Sequence, residues 1–155
     1  MRSMLTLIAA SSLLAAVAAL ALGIAPPANA ACFNFSLQGT FVFTEFGFIV
    51  SPAALAGPLG VVNTLVFDGN GAITAGAGYA SQNGNIIPAT VTGTYKVNPD
   101  CTGTFQTLIS PIGATAHFFF VIDGSGELQF ICTDPGNVFT GTVRRQFPVG
   151  GPGQQ

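Results

Sequence analysis

Residues 93–107 read Gly93-Thr94-Tyr95-Lys96-Val97-Asn98-Pro99-Asp100-Cys101-Thr102-Gly103-Thr104-Phe105-Gln106-Thr107. Two runs rich in Thr, Tyr, Val and Phe flank a centre where Pro99 fixes φ, Asn98 and Asp100 are expected to hydrogen-bond their own backbone, and Gly103 is expected to supply φ > 0. The stretch is therefore a strand, a turn and a second strand. The same grammar recurs at Phe67-Asp68-Gly69-Asn70-Gly71, at Ile122-Asp123-Gly124-Ser125-Gly126 and at Thr133-Asp134-Pro135-Gly136. Each apolar segment is thereby expected to fold back on the one before it.

Working outward, eight strands are expected at residues 40–50, 61–67, 72–80, 86–97, 102–109, 115–122, 127–133 and 138–147. Short connections force sequential antiparallel pairing, and no helical period appears beyond the first 30 residues. Eight such strands leave two open edges unless the sheet curls, so the expected fold is all-β, an eight-stranded antiparallel up-and-down barrel. Ahead of it, residues 33–37 alternate cleanly and Gly39 breaks them. Residues 51–60, with two Pro and two Gly, read as the longest irregular piece, a single helical turn or a flap.

Residues 1–30 combine Arg2, an apolar run over 4–24 and Pro26-Pro27-Ala28-Asn29-Ala30, the three regions of a secretory signal peptide cleaved after Ala30. The competing readings are an anchoring helix and, through Cys32, a lipoprotein. The expected domains are then a signal peptide at 1–30, a β-barrel at 31–147 and a disordered Gly- and Pro-rich tail at 148–155, in a secreted or periplasmic protein with no stable membrane span after cleavage. From residue 31 onward three basic residues stand against six acidic ones, a net charge of −3, which gives no basic footprint for nucleic acid. Only 6% of all residues are charged and all 14 Phe follow residue 30, so the chain is far more apolar than an ordinary soluble domain.

Export permits a disulfide among the three cysteines. Cys132 shares one strand face with Leu128 and Phe130, which marks it as core, whereas Cys32 and Cys101 lie at a strand entrance and in a turn. The expected bridge is Cys32–Cys101 with Cys132 a buried free thiol; Cys101–Cys132 is the rival.

The motifs Leu37-x-Gly39-Thr40-Phe41, Phe67-Asp68-Gly69-x-Gly71, Gly93-Thr94-Tyr95-x-Val97-x-x-Asp100-Cys101-Thr102-Gly103-Thr104 and Thr133-Asp134-Pro135-Gly136 together resemble a group of secreted bacterial proteins of undefined activity, over nearly the whole chain after the leader. Their barrel is similar in architecture to the calycin-like barrels of the allene oxide cyclase and lipocalin type. The cyclase resemblance implies an unsaturated fatty-acid epoxide bound inside the barrel; no cyclase motif is present onto which its residues carry over.

Candidate chemistry is sparse. His117 is the only histidine, which excludes multi-histidine metal sites, and its plainest reading is a half-buried strand histidine with one hydrogen bond. Asp68-Gly69-Asn70-Gly71 and Asp123-Gly124-Ser125-Gly126 lack the later bidentate carboxylate of a calcium loop and read as turns. Neither a metal nor a cofactor is expected. Glu45 shares a face with Phe41 and Phe43, and Arg145 with Phe139, Val143 and Phe147. Closure makes their strands neighbours, so Glu45 and Arg145 are expected to meet in or near the lumen, as a lock on closure or as the polar handle of a pocket. Glu45, Arg145 and His117 are the candidate binding residues. The expected role is binding a small apolar ligand or assembling through an apolar face, as in a homo-oligomer; the alternative is a cyclase or isomerase that uses Glu45 in the lumen. An outer-membrane barrel is disfavoured because several expected strands are short and the chain ends without an aromatic residue.

Overall fold

Aspartates head the turns, and they do so by one mechanism. In the computed structural model, which describes residues 31–147, Asp68 Oδ1 accepts the backbone N–H groups of Asn70, Gly71 and Ala72 at 2.7, 2.9 and 2.9 Å. Asp123 does the same for Ser125 and Glu127, and Asp100 for Thr102. Such bonds favour the ionised form, so all three carboxyls are held below the usual range: Asp68 chiefly by the Ala72 N–H, Asp100 by the Thr102 hydroxyl and Asp123 by that of Ser125. The expected signal peptide at 1–30 and tail at 148–155 lie outside the described residues.

These turns join β1 (Gln38–Ile49), β2 (Gly57–Asp68), β3 (Ala72–Gln82), β4 (Asn85–Val97), β5 (Thr102–Ser110), β6 (Ala114–Ile122), β7 (Leu128–Cys132) and β8 (Asn137–Arg145). Each strand pairs antiparallel with the next and β8 returns to β1, closing the barrel. The closing seam needs close backbone approach, since a Cβ at Gly47 or Gly141 would overlap the carbonyl oxygen of Val138 or Thr44 across it. Asn83-Gly84, both at positive φ, make the two-residue hairpin between β3 and β4 that their residue types favour.

Three sequence expectations need correction. Residues 33–37 form no strand: Asn34–Leu37 is a short 3-10 helix, because a closed sheet offers no edge to another strand. The segment instead crosses one end of the barrel. Leu37 is fully buried there, Asn34 Oδ1 accepts the Val97 N–H at 2.8 Å, and its Nδ2 donates to the Asn70 carbonyl at 3.1 Å. Second, β2 begins at Gly57, so the irregular connection shrinks to residues 50–56, around a 3-10 turn at Ala53–Leu55. Third, β2 and β3 run to 12 and 11 residues, longer than expected, while β7 has only 5, too few for a bilayer-spanning strand. The interior also differs from that of outer-membrane barrels, being packed at one end with phenylalanine where such barrels have a polar lumen.

The interior is filled from one end. Phe41, Phe67 and Tyr95 meet edge to face beneath Leu37, with ring centroids 5.2 and 5.0 Å apart. Above them Phe43 stacks on Phe130 at 4.8 Å and Phe105 on Phe118 at 4.5 Å, and the two stacks meet edge-on. Offset and edge-on contacts of this kind add about 0.5–1.5 kcal/mol per pair beyond area burial. Cys32 and Cys101 are bonded with Cα atoms 4.9 Å apart, and Cys132 is free and buried on the inner face of β7. The bridge ties the crossing segment to the β4–β5 turn, so the filled end is also the covalently pinned end.

Candidate functional site: a half-filled lumen

The stacked aromatic layer ends at Phe43 and Phe118, and above it the barrel is hollow, with Phe139 of β8 a further buried ring in its wall. The cavity, about 430 Å³, is walled by Leu59, Val61, Ile87, Val91, Ile109 and Ala116, and its rim is formed by Pro52, Leu55, Pro111 and Pro135 at the opposite end from the disulfide. The volume lies within the range of small-molecule sites and fits the single ligand that an eight-stranded barrel can hold. Strand alternation puts three polar residues inside it. Glu45 on β1, Asn63 on β2 and Thr107 on β5 are the buried polar side chains among the described residues, and all three line the cavity.

Two of them are unsatisfied. Glu45 Oε1 and Asn63 Oδ1 are buried with no hydrogen-bond partner. Glu45 pairs with Val61 across the β1–β2 ladder and Asn63 with Phe43, so the two are diagonal neighbours on one face, with Asn63 Oδ1 lying over Gly78 of β3. Burial without a counter-charge pushes the Glu45 carboxyl from 4.5 up to about 7. An orphaned buried acceptor costs about 1–3 kcal/mol, and such groups in a folded protein call for an explanation.

Glu45 and Arg145 do not meet. Their strands are neighbours and both side chains face inward as expected, but the register sets Glu45 opposite Gly141 and Arg145 opposite Phe41. Four residues of β1 separate the two positions, roughly 13 Å at the strand rise. Arg145 belongs to the filled end, with its guanidinium 4.7 Å from the Phe41 ring centre and Nη1 donating to the Gln38 carbonyl at 2.6 Å. Neither the lock nor a paired handle exists, because inward facing follows from strand parity whereas partnership requires the seam register.

His117 lies on the outer face of β6. Its Nδ1 is 2.7 Å from Asp134 Oδ1, and its backbone N–H donates to Asp134 Oδ2 at 2.8 Å. That explains the Thr133-Asp134-Pro135-Gly136 motif locally, since Asp134 fastens the β7–β8 turn to β6. Cys132 Sγ lies 3.9 Å from the same carboxylate, and burial, more than the nearby charges of Asp134 and Glu45, raises its thiol above the ordinary value. No group of three or more His, Cys, Asp or Glu that could hold a metal is found among the described residues. Asn63 and Thr107 were missed in the sequence. Asn63 carries the signal that marks Glu45, a polar residue in alternation with Val61, Leu65 and Phe67.

No known family model, curated protein or solved structure matches this chain. The functional reading therefore rests on the lumen itself. Among the described residues no helix is long and apolar enough to cross a membrane.

Proposed function

We propose that this protein is exported and binds a small, mostly apolar molecule in the open half of its barrel. The observation that carries the reading is the pair of orphaned oxygens, Glu45 Oε1 and Asn63 Oδ1, in an otherwise apolar cavity of about 430 Å³. A lumen built only for packing would be filled at both ends, and its polar groups would be paired with one another. The Cys32–Cys101 bridge supports an oxidising compartment. The test is native mass spectrometry of protein purified from its producer, followed by titration with apolar probes. Ala89→Phe and Ala116→Phe, which fill the cavity from two walls, are expected to abolish retention while leaving the circular dichroism spectrum unchanged. Undiminished retention in both variants would place the ligand elsewhere.

One observation favours a catalytic version, a cyclase or isomerase acting on an apolar substrate in the lumen. A carboxyl at about 7 can take and return a proton near neutral pH, as a general base in an apolar pocket must. On that reading Glu45→Gln abolishes turnover while binding survives.

Another favours self-association. Phe46, Phe48, Val62, Tyr79, Ile86 and Val138 are all exposed and adjoin one another across β8, β1, β2, β3 and β4, around a shallow groove floored by Gly60. Contiguous apolar surface of this kind marks an interaction face, and the occupant proposed here is a second copy of the chain. Sedimentation of wild type against Phe46→Ser/Tyr79→Ser tests it; a concentration-independent monomer in both would refute it.

A further inference from the structure

Resting on the lumen as a binding site, we propose that its ligand carries a protonated amine on an apolar body, with the ammonium held by Glu45 and Asn63 and the body directed toward the mouth. Both orphaned atoms are oxygens, so once Glu45 is ionised both can only accept, and whatever satisfies them must donate to each. An ammonium presents three donors, an alcohol one and a carboxylate none. An alcohol would leave one oxygen unpaired. A carboxylate would leave both unpaired and set a second negative charge beside Glu45.

The surroundings of Glu45 lack any cation. β2 presents Val61 and Asn63 to it, β8 presents Gly141 flanked by Phe139 and Val143, and β7 presents Cys132, whose thiol burial keeps neutral. Asp134, beyond Cys132, is itself acidic and is engaged by His117. Arg145 is spent on Phe41 and the Gln38 carbonyl at the filled end. A ligand that brings its own positive charge supplies what the fold leaves out, and the walls around it are apolar, aliphatic side chains with Phe43, Phe118 and Phe139.

A proton linkage follows. The free carboxyl sits at about 7, so at about pH 6 some nine-tenths of molecules hold Glu45 protonated, and seating an ammonium expels that proton. Affinity for an amine is then expected to rise about tenfold between about pH 6 and about pH 8, while affinity for a neutral analogue stays flat. Cys132 remains a thiol over this interval.

The experiment is calorimetric titration of the intact protein with octylamine, 1-octanol and octanoate, which share one body and differ in the head group. The expected result at about pH 8 is octylamine binding at least tenfold tighter than either analogue, with the pH trend above confined to the amine. Glu45→Gln is expected to bring octylamine down to the level of 1-octanol and leave 1-octanol unchanged. Should that variant fail to fold, Asn63→Leu, which removes the second acceptor, is expected to erode the same preference. Equal binding of 1-octanol or octanoate in the wild type would overturn the amine while leaving the lumen as a binding site. Binding of none of the three, or binding that survives Ala116→Phe, would overturn the lumen reading and the amine with it.

Discussion

Glu45→Gln should change the pH dependence of folding between about pH 4.5 and about pH 7, in the sense opposite to the turn aspartates. In the ligand-free protein the Glu45 carboxyl is lifted from 4.5 to about 7 by burial. The native state therefore holds a proton that the unfolded chain has already released between those two values. Stability must then fall as pH rises, by about 1.4 kcal/mol per pH unit across the interval. The accumulated loss is about 3 kcal/mol above about pH 7 and nothing below about pH 4.5. The amide that replaces the carboxyl has no proton to lose, so the variant is expected to gain about 3 kcal/mol on the wild type between those limits. Asp68, Asp100 and Asp123, whose carboxyls are depressed, act in the opposite sense at lower pH. They are common to both proteins and cancel in the difference. The assay is urea unfolding at half-unit steps from about pH 4 to about pH 8.5, read as the midpoint multiplied by a shared slope. Parallel pH profiles for wild type and variant would show that Glu45 titrates normally, and the buried, unpartnered carboxyl would then be wrong.

Other consequences are more local. A Glu45→Ala/Arg145→Ala double-mutant cycle should give a coupling energy below about 0.5 kcal/mol, since the residues share no partner; a coupling of several kcal/mol would restore the pairing that the register excludes. Non-reducing peptide mapping should find Cys32 joined to Cys101 and Cys132 labelled only after unfolding, and replacing both bridged cysteines with Ser should cost about 2–4 kcal/mol in thermal or urea unfolding. Asn34→Ala removes two side-chain hydrogen bonds that hold the crossing segment over the barrel end. It should cost about 1–3 kcal/mol and speed amide exchange at Val97; an unchanged exchange rate would show that the segment is not anchored there.

The eight strands, their order and the barrel are legible in the sequence because each depends on local chemistry. Asp-Gly and Asn-Pro-Asp turns are specified by a few adjacent residues, and period-two alternation assigns each side chain to a face without knowledge of its neighbours. That is why Glu45 and Cys132 are correctly turned inward from sequence, and why the same rule, applied to Asn63, would have found the second orphaned oxygen. The alternation over residues 33–37 misleads because period two is necessary for a strand but not sufficient, and the barrel that forms leaves no edge for them to join.

What the tertiary structure alone decides is everything that depends on closure. Which residue of β8 faces which residue of β1 follows from the stagger of the whole barrel, with Gly47 and Gly141 allowing the close approach, and no local pattern encodes it. That register sends Arg145 to the filled end and leaves Glu45 without a cation. It also determines how far the phenylalanines reach. Their number is plain in the composition, but the stacking of Phe43, Phe105, Phe118 and Phe130 into a floor beneath the open half results from side chains on four different strands reaching one level together. Turn and face are properties of neighbours in sequence, whereas register, void and an unpaired charge arise between residues that only folding brings together.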